Sequence, residues 1–288
     1  MKDISIIGAG RLGTSLGYAL REKGYRIRAL SCKSPASAEE SRRIIGGGKP
    51  LADNREAARK GKIVFLCVPD EEIKKVAREL SRSDIPWSEK VIYHCSGLLS
   101  SAALNPLRRK GARIGSFHPI QSFPCRKADT KQFKGIFFGL EGEKEALLTA
   151  RTMVHELGGR PLLIKASEKP LYHAACSIAS NFFVVLLDMA ASLLDQMELG
   201  EDSLRILFPL VKGTLHNVKK FDTASSLTGP LVRGDRKSIE KHLEALGRIP
   251  AYRKVYSVLA RQALEMAQRE SKLPPTKIRA LRNLLEEK

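Results

Sequence analysis

Near the N-terminus an apolar run, Ile4–Ile7, breaks into Gly8-Ala9-Gly10-Arg11-Leu12-Gly13 and then into a helical pattern. A G-x-G-x-x-G alone is a weak signal, but between a strand-like run and a helix it constrains the chain severely. Gly8 permits a tight turn, Gly10 lets the backbone approach a pyrophosphate, and Gly13 allows close helix–strand packing. The free N–H groups and the dipole of the helix N-terminus favour an anion there. Gly8, Gly10, Arg11, Leu12 and Gly13 are therefore candidate dinucleotide-binding residues.

The next 150 residues fit that beginning. Strand-like runs at Ile4–Gly8, Tyr25–Ser31, Lys62–Val68, Val91–Cys95, Ala112–His118, Gly135–Leu140 and Pro161–Ile164 alternate with helical patterns at Leu12–Lys23, Asn54–Lys60, Glu71–Leu80, Ser100–Arg109 and Glu143–Leu157. This alternation predicts an α/β fold, a mostly parallel sheet with helices on both faces. After Ser167 the strand signal ends. A long helix is expected to about Leu194, with Ser167 as N-cap and Pro170 in its first turn. Helical patterns follow at Ser203–Lys219, Lys237–Leu246, Ala251–Arg269 and Thr276–Glu286. The expected organisation is a nucleotide-binding domain at 1–165 and an all-α domain at 166–288.

Composition excludes several classes. Of 288 residues 43% are hydrophobic and 28% charged, which rules out global disorder. The net charge of +19 raises nucleic-acid binding, yet the basic residues are scattered, tryptophan occurs once, and no basic run is interleaved with aromatics. Small anionic ligands and a solvated surface are the preferred reading. The five cysteines contain no C-x-x-C pair, so neither a disulfide framework nor a metal site is expected. With no signal peptide visible, a cytoplasmic location is expected. Pro170–Leu187 lacks charge but carries His173, Ser177, Ser180 and Asn181. It reads as a buried helix rather than a membrane span.

NAD-specific sites place an acid at the end of the second strand, roughly 20 residues past the glycines, for the ribose 2′-hydroxyl. Here that strand ends Ser31-Cys32-Lys33-Ser34 and the next acids are Glu39 and Glu40. Ser31 and Lys33, with Arg11, suit a 2′-phosphate, so NADP(H) is the expected cofactor. The carboxyl ends of parallel strands line the ligand crevice. Val68-Pro69-Asp70 and Ser96-Gly97 are thereby candidate cofactor contacts, Ser96 also a catalytic one. His118, in Ser116–Phe123, is either a proton donor or a structural histidine, with Gln121 nearby as a substrate contact. His173, Ser177 and Asn181 share a helix face at i, i+4, i+8. Aligned polar groups on an apolar helix need partners, and a ligand is one such partner. His173 is the first choice for proton donor, Asn181 for orienting substrate, Ser177 for contacting it. In the loop Thr228–Asp235, Thr228 and Arg233 are candidates for holding a carboxylate, unless Arg233 pairs internally with Asp235.

The segments IIGAGRLG, CVPDEEI, HCSGLLSS, GSFHPIQSF, YHAACSIASNF and LTGPLVRGD together resemble a family of NADP oxidoreductases with a Rossmann-like N-terminal domain and a helical C-terminal domain of unassigned function. That family is similar in plan to pyrroline-5-carboxylate reductase, ketopantoate reductase and the β-hydroxyacid dehydrogenases. The resemblance implies a C-terminal domain of the 6-phosphogluconate-dehydrogenase type and a homodimer built through it. It also implies an interdomain cleft where a small carbonyl or imine acid, such as a 2-oxo acid like ketopantoate, is reduced. β-Hydroxyacid dehydrogenases carry a Lys and an Asn four residues apart on the first interdomain helix. This chain has His173 and Asn181 there instead, with Lys169 one turn before His173. The alternative is a non-catalytic NADP(H)-binding redox sensor.

Overall fold

The computed structural model describes residues 2–270 and 273–286. Two compact units divide at Phe182/Phe183, and each is taken by itself. In the first, β1 (Asp3–Ile7), α1 (Arg11–Glu22), β2 (Arg26–Ser31), α2 (Pro35–Ile45), β3 (Lys49–Leu51), α3 (Asn54–Lys60), β4 (Ile63–Leu66), α4 (Asp70–Ser81), β5 (Val91–His94), the short α5 (Asn105–Arg108) and β6 (Arg113–Pro119) form successive β-to-β crossovers. β7 (Phe137–Gly142), α6 (Lys144–Glu156) and β8 (Arg160–Leu163) complete the sheet.

The strand order is β3-β2-β1-β4-β5-β6-β7-β8, every pair parallel except β6–β7. Order reverses between β1 and β4, the position where doubly wound sheets open a crevice at their carboxyl edge. β1 and β4 are buried through Ile4, Ile6, Ile7, Ile63, Val64, Phe65 and Leu66 because both faces are covered. One face packs Leu16 and Leu20 of α1, Ile45 of α2 and Met153 of α6. The other packs Ile73 and Leu80 of α4 with Leu104 and Leu107. The close seat of α1 depends on Gly17, where a Cβ would stand 2.6 Å from Ile6 and 2.9 Å from Ile45.

The sequence reading found neither α2 nor β3. α2 is mostly polar (PASAEESRRII), and only Ala38, Ser41 and Ile45 are buried, so its apolar periodicity is faint. It is fixed instead by local chemistry: Ser34 caps it through the Ser37 N–H, Pro35 opens it and Gly46 closes it in the left-handed region.

The long helix also differs in detail. A 3₁₀ turn occupies Ala166–Glu168, α7 (Lys169–Ser177) follows with no side-chain cap, a π turn spans Ile178–Phe182, and α8 (Phe183–Leu194) continues. Ser167 is therefore not the N-cap, although Pro170 does stand in the first turn. The expected burial is overturned. Within Ala166–Leu194 an 18-residue window has a mean hydropathy of 1.8, enough by length and composition to cross a membrane, yet only 6% of that window is buried. Leu171, Phe182, Val184 and Val185 are exposed.

In the second unit, α9 (Ser203–Phe221), the short α10 (Thr223–Ser226) and α11 (Pro230–Arg233), α12 (Arg236–Ala245), α13 (Pro250–Arg269) and α14 (Pro275–Glu286) follow α8. Its core is Ile239 and Leu243 of α12, Ala260 and Leu264 of α13, and Ile278, Leu281 and Leu285 of α14. α9 instead exposes Ile206, Phe208, Leu210 and Leu215.

Candidate functional site

The glycine loop is anchored from below and open above. Gly8, at φ 83°, takes a conformation that favours glycine, and the amides of Gly8 and Ala9 both donate to the Ser31 carbonyl at 2.9 and 3.0 Å. The Ala9 carbonyl accepts from Thr14 Oγ1, Ser41 Oγ and Cys32 Sγ. A Cβ on Gly13 would lie 2.7 Å from the Gly8 carbonyl, so packing demands glycine there. At Gly10 a Cβ would meet nothing nearer than 3.9 Å. Packing leaves that position free, which is the cradle a dinucleotide pyrophosphate requires. Arg11, exposed, and Leu12 begin α1, where the first-turn amides lack intrahelical partners.

The 2′-phosphate residues separate. Ser31 is 1% exposed and its hydroxyl donates to Asn54 Oδ1 at 2.8 Å. It therefore supports the loop, and the expectation that it reaches a phosphate is corrected. Lys33 is exposed beside Ser34, and the described residues place no acid at the end of β2.

Beyond the switch point the strand ends interlock. Gly8 lies against Val68 and the Cys67 carbonyl, and Cys67 Sγ is 3.5 Å from Cys95 Sγ. Pro69 is exposed, whereas Asp70 accepts from Ser96 Oγ at 2.7 Å. Ser96 Oγ also accepts from the amides of Leu98 and Leu99. With its hydroxyl so occupied, Ser96 fastens the turn after β5 to the start of α4; a catalytic role for this hydroxyl is corrected on that ground. His94 is buried with both ring nitrogens engaged, by the Ser96 amide and the Ser100 carbonyl. Burial, then the Lys169 ammonium, pushes it down to about 4.

Sequence reasoning placed Lys169 only by position. It is 0% exposed, and its ammonium donates to the Ser96 carbonyl at 3.2 Å and Ser116 Oγ at 2.6 Å. Burial lowers it to about 8, against the opposing pull of Glu141 and Asp70. Tyr172 was missed too: its hydroxyl lies 2.6 Å from His118 Nδ1. The signal for both was the helical spacing of Lys169 and His173 at i, i+4, with Tyr172 between. His118 and His173 come together from β6 and α7, ring centroids 6.2 Å apart. Gly97 lies between them: a Cβ there would be 2.6 Å from His173 Cδ2 and 2.9 Å from His118 Nε2.

Other candidates stand farther out. Ser177 is half-buried and Asn181 exposed in the π turn. Gln121 is exposed, its Oε1 accepting from the Ser122 amide. Thr228 and Arg233 are exposed in the helical unit. Asp235 caps α12 through Ser238, and those hydrogen bonds, with the Arg233 guanidinium nearby, hold its carboxyl below the usual range.

Comparison with known proteins adds a family pattern. Residues 2–119 match a Rossmann-like domain and 136–263 a domain of unknown function, DUF2520. Protein TM1727 from Thermotoga maritima is 30% identical, with 93% of this chain and 99% of that one covered and a TM-score of 0.71. A proposed NADP oxidoreductase from Bacteroides fragilis is 25% identical over 91% of this chain and 97% of its own, TM-score 0.78. Plasmodium falciparum pyrroline carboxylate reductase, solved with NADP bound, shares the fold at 16% identity, 94% and 97% coverage and a TM-score of 0.60. No curated protein matches the chain.

Proposed function

The chain belongs to the family of Rossmann-like proteins carrying a DUF2520 domain, and from that premise we propose that it is an NADP(H)-dependent oxidoreductase acting on a small carbonyl or imine acid. One observation carries the reading: the open glycine cradle is joined through Val68, Cys67 and Cys95 to a cluster of Lys169, Tyr172, His118 and His173 at the ends of β5 and β6. A protein that only binds a dinucleotide has no need of two imidazoles facing each other across a glycine.

NADP(H) would supply the hydride. The loop amides of residues 11–13 would hold its pyrophosphate, and Lys33, with Arg11, would take the 2′-phosphate. Of the chain's own groups, His173 holds the proton delivered to substrate, since Lys169 is fully buried on Ser96 and Ser116 and positions them from beneath. Asn181 and Ser177 orient substrate, and Gln121 is assigned to its polar groups. A 2-oxo acid of the ketopantoate kind is the specific substrate we would try first. The exposed apolar residues of α8 and α9 are assigned to a second copy of the chain, forming a homodimer in the cytoplasm, rather than to a lipid bilayer or nucleic acid.

The test is NADPH oxidation followed against 2-oxo acids and cyclic imino acids. Turnover of one class supports the reading. Tight NADPH binding with no turnover across both classes favours the redox-sensor alternative, and equal affinity for NADH and NADPH, unaltered by Lys33→Glu, overturns the cofactor assignment.

A further inference from the structure

The two buried-edge histidines of the first unit differ in one respect. His94 has both nitrogens committed to protein groups, as a structural histidine should. His118, only partly buried, has Nδ1 committed to the Tyr172 hydroxyl at 2.6 Å, and among the described residues Nε2 meets no protein hydrogen-bond partner. That nitrogen lies over Gly97, where the missing side chain keeps the space between His118 and His173 clear. Gly97 has no positive φ, so the space itself is the reason for glycine.

Tyr172 bears on the tautomer. A phenol oxygen is a weaker acceptor than an imidazole lone pair, and burial keeps this phenol protonated, with Cys176 beside it adding to the effect. With the Cys176 thiol donating to the phenol oxygen, the O–H is free to donate to Nδ1, which puts the ring proton on Nε2. We propose that His118 is a hydrogen-bond donor that keeps its proton: Tyr172 holds Nδ1 and leaves Nε2–H, over Gly97, for an acceptor oxygen of the substrate.

The surroundings hold the ring neutral. Burial comes first, then the Lys169 ammonium, then His173, and together they push His118 down to about 4. The other titratable groups around it do not reverse this. His94 is itself neutral, Tyr172 bonds Nδ1, Cys176 acts on Tyr172, and Asp70, Cys95 and Glu141 act on Lys169. A neutral imidazole is a poor acid but an adequate electrophile, able to bond a carbonyl or carboxylate oxygen at neutral pH. This deepens the oxidoreductase reading, on which it rests, by dividing labour between the histidines: His118 polarises, His173 protonates.

The experiment is nitrogen-15 NMR of the full chain labelled at histidine, from pH 8 to pH 5, with Lys169→Met and Tyr172→Phe as variants. His118 is expected to remain in the neutral Nε2–H form to pH 5, to titrate nearer the ordinary ~6.5 in Lys169→Met, and to become a tautomer mixture in Tyr172→Phe. A wild-type midpoint near 6.5, or a dominant Nδ1–H form, overturns the proposal and leaves the oxidoreductase reading standing. Where a substrate turns over, His118→Gln should retain more activity than His118→Ala, which loses about 10²–10³-fold. Equal loss in the two also overturns it. The expected NMR behaviour with no turnover of any substrate would instead sink the oxidoreductase reading and, with it, the substrate contact.

Discussion

A lysine with no exposed surface destabilises the fold that contains it, and Lys169 is such a residue. Its folded value of about 8 lies below the unfolded 10.5, so at neutral pH the charge is held against the fold by up to about 3 kcal/mol, a cost relieved only as pH rises from about 8 to 10.5. Its two hydrogen bonds offset part of that. Lys169→Met should therefore melt at the wild-type temperature or higher at pH 7 while losing turnover; a fall of more than a few degrees would mark the lysine as structural only. His94 and His118 act on the acid side. Both are depressed to about 4, so their full contribution is present above the unfolded value of about 6.5 and is lost as pH falls through 4. Urea midpoints should decline across that window, and less steeply in His94→Asn if the variant folds. At His173, replacement by alanine is expected to lower kcat by ~10²–10⁴ while NADPH affinity barely moves. Wild-type turnover by a folded His173→Ala protein would shift the proton donor elsewhere.

At the scale of elements, the β1–α1 turn contains glycines that do different work. Gly13 is required by packing, its would-be Cβ 2.7 Å from a carbonyl, while Gly10 faces open space. Gly13→Ala should destabilise the protein by roughly 1–3 kcal/mol through overpacking. Gly10→Ala should fold with wild-type stability and bind NADPH at least tenfold more weakly. Calorimetry and fluorescence titration on the two proteins separate the effects, and unimpaired NADPH binding by Gly10→Ala would remove the pyrophosphate from this loop. The π turn at Ile178–Phe182 is the other informative element. π turns occur most often as single insertions at functional positions; this one carries Asn181 and sits where the two units divide.

For the whole molecule the exposed apolar surface is the dominant fact. Leu171 is 78% exposed, Leu210 68% and Val184 63%, on a chain whose second core uses α12 to α14 and leaves α8 and α9 outside it. Large apolar side chains left exposed on α8 and α9 are the kind of surface that marks an interaction site. Light scattering at micromolar concentration should return twice the 31.9 kDa chain mass, and Val184→Lys should shift it toward the single-chain value. A wild-type monomer that partitions into lipid vesicles would assign the same face to a bilayer.

The glycine fingerprint, the alternation of β-branched runs with helical patterns and the missing acid after β2 were all readable in the chain, because each depends on neighbours within about twenty residues. So were His118 and His173 as candidates. The polar α2 was not, since capping rather than apolar periodicity holds it. Nor did spacing say that Ser31 turns inward to Asn54, that Ser96 is occupied by Asp70 and two amides, or that Tyr172 meets His118. These depend on contacts between residues 23, 26 and 54 positions apart. The long helix shows the limit most plainly. Its apolar sequence signals burial, but whether it is covered by its own chain depends on where the other helices pack, and α12 to α14 pack on one another. Local chemistry determined which elements form and what kind of ligand they suit; only tertiary structure decided which polar groups are occupied and which apolar residues stay exposed, because hydrogen-bond satisfaction and burial are properties of the assembled fold.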